Sequence, residues 1–495
     1  MKDSNHIIEK VFLEVNTSNT ETAYSIKNNI SQFLESEVFP QIEKFFDEFD
    51  ESETIYRFDK LDISVSVNDW KNLDEISSEI GIKIQKELDA YDLSTIAEQK
   101  LRSKKSNLRK LSPEKNNESS FFYFIESGQL PWYGKEQDFI DFTSPENWVE
   151  RLIDPVFIDT LKKILLQNSQ SVDRLIYQLS EEAVISFLIK IQPFLKEFEY
   201  RILSLTKVLD RTLKYHFLKL LIQIFNSTQT IRVAGKVVSF LRKIIQNYSP
   251  ENKVVSKISI EIFEVLRKIL SPTLRSELQK NGIVEFFSAA KIDSKNYQSV
   301  FLEIENSKLQ TTTDIQPPVE QILADSTEKD HGIAIQNAGL ILLHPFFKHL
   351  FHLTKITNSE GIIEKQNMDL AVQTLHFVAT GAENVFEGNL VFEKFLCGIP
   401  LKMPIQKQSL LTEEIRDEVP TLLKEAVRNW LALGNTSPDG LRENFIHRDG
   451  KLFQKEGKAK IIVERKVQDI LLEKLSWNIS MFKLPWRKEL ITVEW

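Results

Sequence analysis

The 495-residue sequence predicts a mainly α protein with α+β ends. It divides into an N-terminal β-α-β-α module, a central all-α helical array and a C-terminal α+β module with short strands. Three observations carry this reading. Glycine (15 residues) and proline (16 residues) are scarce, glycine at less than half its ordinary share of roughly 7%. Few backbone punctuators favour long helices over a many-turned β-sandwich or barrel. Over most of the chain apolar residues recur at three- and four-residue steps, the helical period, while strict alternation is confined to short stretches near the two ends.

Residues 1–93 read as the β-α-β-α module. Val11, Leu13 and Val15 alternate with Lys10 and Glu14, a strand with one buried face. Ser18 and Glu21 have capping-box spacing and open a helix. Ala23, Ile26, Ile30, Phe33 and Leu34 continue its stripe towards Phe49, with Pro40 as a kink or break. Leu61, Ile63, Val65 and Val67 alternate with Lys60, Asp62, Ser64 and Ser66, the clearest strand pattern in the chain. A second helix from about Asp69 carries Leu73, Ile76, Ile80, Ile84 and Leu88 on one face.

Residues 94–119 read as a polar, basic linker containing Lys100, Arg102, Lys104, Lys105, Arg109 and Lys110. These cations lack the interleaved aromatics of a nucleic-acid groove. Residues 120–305 form the helical middle. Ser144-Pro145-Glu146 is a helix start, followed by the stripe Trp148, Leu152, Phe157, Leu161 and Leu165. Val254, Ile258, Ile262, Val265 and Ile269 form another stripe, and no fixed-period repeat marks a solenoid. Residues 306–332, with Thr311-Thr312-Thr313 and Pro317-Pro318, read as a second linker. In residues 333–495, helices are expected at 337–353, 367–380, 412–433 and 466–475. Strands are expected at 451–454 and 459–464, joined across Gly457, and at 489–494.

With 63 Lys and Arg against 71 Asp and Glu, the net charge is −8. No global basic field is present, so nucleic acid is not an expected partner. The single Cys397 excludes a disulfide framework and lies in an apolar setting, as a buried inert thiol would. Met1–Glu9 lacks the basic-then-apolar pattern of a signal peptide. Apolar runs such as Phe121–Ile125 and Leu340–Leu343 fall far short of the roughly 18 residues of a membrane span. Cytoplasmic synthesis without direct membrane insertion is the expectation.

Signatures of chemistry are missing. Gly134-Lys135, Gly235-Lys236 and Gly457-Lys458 lack the hydroxyl residue and upstream glycine of a phosphate loop. No cofactor, metal or catalytic residue is expected. His344, His349, His352 and His376 are the nearest approach to a metal set, but His344 is offset on the helical wheel from the other two of its helix. The aromatic tail is more informative. Trp477, Phe482, Leu484, Trp486 and Trp495 either close the last core with a strand pair or offer a docking edge to a partner, and Trp132 invites the same choice.

One ordered set of motifs resembles a known family. It comprises Asn337-Ala338-Gly339-Leu340 through His344-Pro345-Phe346, Glu393-Lys394-Phe395-Leu396-Cys397-Gly398, and Asn435-Thr436-Ser437 with Gly440-Leu441-Arg442. His447-Arg448-Asp449-Gly450, Val463-Glu464, Asp469-Ile470-Leu471-Leu472 and Leu484-Pro485-Trp486 follow. Earlier in the chain stand Ile8-Glu9-Lys10 through Phe39-Pro40, Phe58-Asp59-Lys60-Leu61, and Phe124-Ile125-Glu126-Ser127-Gly128-Gln129-Leu130-Pro131-Trp132. The order resembles the contractile injection system tape measure proteins of bacterial phage-tail-like particles. That resemblance implies a non-enzymatic, length-setting assembly component. Its partners would be tube, sheath, cap or baseplate subunits, and it would reside in the bacterial cytoplasm during assembly. A compact scaffold or cap adaptor of the same particle is the alternative, and a histidine-based metal protein the more distant one.

Overall fold

A computed structural model of the chain describes residues 6–8, 11, 17, 19–21, 24, 34–48, 54–58, 79–86, 108–227, 229–248, 257–289, 297–307, 309, 332–455 and 457–495. These are mostly helical, with strands in two small sheets. The chain divides into two compact units, Met1–Ser120 with Trp132–Gly134 and Phe121–Pro131 with Lys135–Trp495.

The first unit contains helix α1 (Phe39–Glu48), strand β1 (Ile55–Phe58), helix α2 (79–86) and strand β2 (Leu108–Leu111). Pro40 lies in the first turn of α1, where a missing N–H costs nothing, and a single wide π turn (Leu34–Val38) precedes it. The helical turns run on without a gap from Leu34 to Glu48, so the chain is not split at Pro40. β1 and β2 pair antiparallel, Ile55 opposite Leu111 and Phe58 opposite Leu108. Phe46 packs on Phe58 at 6.2 Å, and the Arg57 guanidinium lies 3.5 Å from the Tyr133 ring centroid. Ile80 and Ile84 of α2 are buried, on the stripe the sequence predicts. The alternations at Leu13–Val15 and Leu61–Val67 lie outside the described residues, and Val11 is exposed and outside any strand. Strand β2 and the start of helix α3 (Pro113–Ser127) occupy part of the stretch read as a linker. Proline suits a first helical position, which is why Ser112-Pro113 starts a helix here rather than a loop.

The second unit begins with α-helices laid in sequence. They include α4 (Glu136–Phe142), α5 (Pro145–Arg151), α6 (Pro155–Gln167), α7 (Ser169–Gln178), α8 (Glu181–Ile191) and α9 (Glu199–Val208). α10 (Arg211–Asn226), α11 (Thr230–Tyr248), α12 (Lys257–Ile269), α13 (Pro272–Lys280) and α14 (Tyr297–Asn306) follow. Short polar residues start α6, α7, α8 and α10 by accepting orphan N–H groups, whereas Ser144 before α5 accepts none with its side chain. Asp154 accepts from Val156 at 2.8 Å, Asn168 from Gln170 at 2.9 Å, Ser180 from Ala183 at 3.1 Å and Asp210 from Thr212 at 2.9 Å. Phe121, Phe139, Phe142, Trp148 and Phe157 surround one another in the core of this block.

The α+β block of the same unit holds strand β3 (Ile333–Ile335), helices α15 (His344–Leu353), α16 (Met368–Thr380), α17 (Val391–Leu396) and α18 (Glu413–Asn429), and strands β4 (Gly450–Lys455), β5 (Lys458–Val463), β6 (Met481–Phe482) and β7 (Ile491–Glu494). The strand order is β3-β4-β5-β7-β6; β5 and β7 run parallel, the other neighbours antiparallel. Gly457, at φ +74°, forms the turn between β4 and β5 that the sequence places there. Leu340, Phe347, Leu375, Phe392, Leu423, Trp430 and Ile461 form a second core. Most of 306–332 lies outside the described residues, yet the two blocks share one unit. Phe386 of the α+β block enters the helical core, stacking on Phe124 at 4.9 Å and meeting Phe139 at 5.0 Å. Among the described residues no helix is long and apolar enough to cross a membrane.

Candidate functional site

Three buried charged side chains, Arg174, Glu387 and Lys394, lie where the two blocks of the second unit meet. α7 turns Ser171, Val172, Arg174, Leu175 and Gln178 inward together, at helical spacing. Arg174 and its partner Glu387 are fully buried. Arg174 Nε donates to Glu387 Oε1 at 3.1 Å, Nη1 to the Ile125 carbonyl at 2.7 Å and Nη2 to the Lys402 carbonyl at 2.6 Å. From α17, Lys394 Nζ donates to the same Glu387 oxygen at 2.8 Å and to the Leu401 carbonyl at 3.0 Å. Burial pulls the Lys394 ammonium below the ordinary lysine range, and the Glu387 carboxylate works against that shift.

Gly128 lets the chain pass this close. Its φ is +77°, and a Cβ there would lie 2.5 Å from Glu387 Oε1 and 2.6 Å from Arg174 Nη2. Only glycine accepts both the conformation and the contact. Ile125 and Gly128 on one side and Lys394 on the other, far apart in the chain, therefore converge on the buried Arg174–Glu387 pair.

Beyond α17, residues 400–411 form a strap without regular structure. Its carbonyls are taken one after another by side-chain donors. Besides the bonds at Leu401 and Lys402, Gln178 donates to Ile405 at 2.8 Å and Arg211 to Ser409 at 3.1 Å. Gln373 of α16 donates to Gln406 at 2.8 Å and Gln408 at 3.0 Å, and accepts from the Leu410 N–H at 2.7 Å. Asp369, one turn earlier on α16, has its carboxyl pushed up to about 6 by burial. The donors come from both blocks, so the strap stitches them together. Chemically, the centre's cations hold the chain's own carbonyls and one carboxylate, while Glu387 Oε2 and Gln178 Oε1 are buried there without a hydrogen-bond partner.

The histidines are not brought together. His344 Nε2 lies 2.9 Å from the Asn478 carbonyl and its ring stacks on Phe482 at 4.5 Å. His349 and His352 are exposed, while His376 is buried with Nδ1 3.5 Å from Glu393 Oε1. Among the described residues no group of three or more His, Cys, Asp or Glu is arranged to hold a metal ion. Cys397 is buried, and that burial, then the Glu393 charge, raises its thiol well above the usual range.

Of the aromatic-tail residues, Phe482 and Leu484 are buried. The indole N–H groups of Trp477, Trp486 and Trp495 donate to the Leu342 carbonyl (2.9 Å), the Leu396 carbonyl (2.8 Å) and Asp469 Oδ2 (2.9 Å). Trp132, in the first unit, is 39% exposed. Arg174, Glu387 and the strap escaped the sequence reading. Their one visible trace was the interruption of the Val172–Leu175–Leu179 stripe by Arg174 and Gln178.

Fold and centre together describe a mostly helical protein whose buried charge holds its own two blocks in register. The chain belongs to the contractile injection system tape measure protein family, whose model matches residues 5–495. No curated protein and no solved structure matches it.

Proposed function

We propose that this protein is a non-enzymatic assembly component of a contractile injection particle, working through contacts with tube, sheath, cap or baseplate subunits. Within that role its second unit acts folded, as a scaffold or adaptor, rather than drawn out as a ruler. The observation that carries the reading is the stitched seam between the two blocks. An extended form would have to expose two hydrophobic cores and strip Arg174, Glu387 and Lys394 of their partners. A folded body of roughly 370 residues has a radius of gyration of about 21 Å. The same residues as one helix would span about 560 Å.

Deleting the gene should abolish particles or change their length; particles of normal number and length would refute the assembly role. Helical insertions of graded length within 306–332 separate scaffold from ruler. A scaffold leaves particle length unchanged. Growth of about 1.5 Å per inserted residue would overturn the folded reading in favour of the ruler.

A further inference from the structure

Three lysines on α10 and α11 find different partners. Lys214 Nζ donates to Glu181 Oε1 at 2.5 Å. Lys219 pairs with Asp173 and donates to the Tyr215 hydroxyl at 2.8 Å. Asp173 is thereby committed, because it also accepts from the Tyr215 hydroxyl at 2.7 Å. Lys243 Nζ instead meets Nε2 of His216 at 2.8 Å, an imidazole nitrogen where its two neighbours meet carboxylates. Lys243 and His216 are both half-buried.

We propose that Lys243 is an acyl-acceptor site, the amine among these three that acyl phosphates modify first. Once its ammonium has lost one proton to solvent, the Nζ lone pair attacks the acyl carbon. The N–C bond forms, the C–O bond to phosphate breaks, and that electron pair leaves with the phosphate. The nitrogen's surplus proton has His216 Nε2 as its acceptor.

Two further observations support this. Burial, then the Lys219 ammonium, lowers the Lys243 pKa and enlarges its free-amine fraction. Burial, then Lys243 and Lys219, holds His216 down to about 4, so its ring is neutral and able to accept at pH 7. The product side agrees. Acylation at Lys243 removes one of two neighbouring like charges, whereas acylation at Lys214 or Lys219 would strand Glu181 or Asp173.

The test treats the full-length folded protein briefly with acetyl phosphate at pH 7.5 and reads site occupancy by mass spectrometry after Glu-C digestion. Lys243 should acetylate several-fold faster than Lys214 and Lys219, whose amines are held by carboxylates. In His216→Gln, which keeps a polar side chain of similar size, the Lys243 rate should fall several-fold. A Lys243 rate equal to or below that of Lys214 in the wild type overturns the proposal. An unchanged Lys243 rate in folded His216→Gln does the same. If that variant fails to fold, the wild-type comparison alone decides.

Discussion

Removing the carboxylate at the centre of the seam should cost far more than removing one at its edge. In Glu387→Gln the side chain keeps its shape, but Arg174 and Lys394 become two buried cations facing a neutral amide. At an effective dielectric of about 20, a unit charge at 3.1 Å contributes about 5 kcal/mol of attraction and one at 2.8 Å about 6. Most of that gross attraction offsets desolvation of the three ions, and the net cost of removing one partner from a buried pair is about 3–5 kcal/mol. A unit of roughly 370 residues unfolds with an entropy of about 0.8 kcal/mol/K. The melting temperature should therefore fall by about 4–6 °C. Differential scanning calorimetry of the full chain measures this, with Glu383→Gln as the control. Glu383 pairs with Arg416 at 2.8 Å, but both side chains are about two-fifths exposed, so screening leaves that pair little to lose. The reasoning fails if Glu387→Gln lowers the transition no more than Glu383→Gln.

Three further outcomes can be checked. Gly128→Ala should destabilise by more than about 2 kcal/mol, because left-handed strain of about 1–2 kcal/mol adds to a clash with Glu387 and Arg174. Gly457→Ala, at similar φ but with open space around it, should show the strain alone in the same denaturant titration. Asp369→Asn should raise the melting temperature at pH 7, because a carboxyl held at about 6 in the fold and near 3.8 when unfolded binds protons more tightly folded. Wild-type stability is then lost as pH rises from about 4 to 6, and the variant's advantage should vanish below pH 4; a pH-independent advantage would contradict the burial argument. Cys397 should resist iodoacetamide in the folded protein and react at the rate of global opening, which quench-labelling across a urea series reads directly.

Local physics made much of this fold legible in advance. The β4–Gly457–β5 hairpin and the helix start at Ser144-Pro145 each depend on a few neighbouring residues, and each stands as read. The seam depends on none. Arg174 and Glu387 lie 213 residues apart, and α7 by itself looks like a helix with an ordinary solvent-facing arginine. Nothing in a 3.6-residue period distinguishes a charge facing water from one facing a distant carboxylate. Glu393-Lys394 was noticed only as part of a motif, because a lysine that ends fully buried has no local mark. Strand β2 was missed for a similar reason: four residues, two of them basic, pair with β1 some 50 positions earlier.

The strap is gripped by its carbonyl oxygens, which every amino acid supplies alike. Replacing exposed side chains such as Lys407 or Gln408 leaves those oxygens where they are. Deleting one residue between Leu401 and Ser409 does not, since each later oxygen would then face the wrong donor. Evolution and mutagenesis should both find its exposed positions forgiving in spelling and the stretch as a whole strict in length.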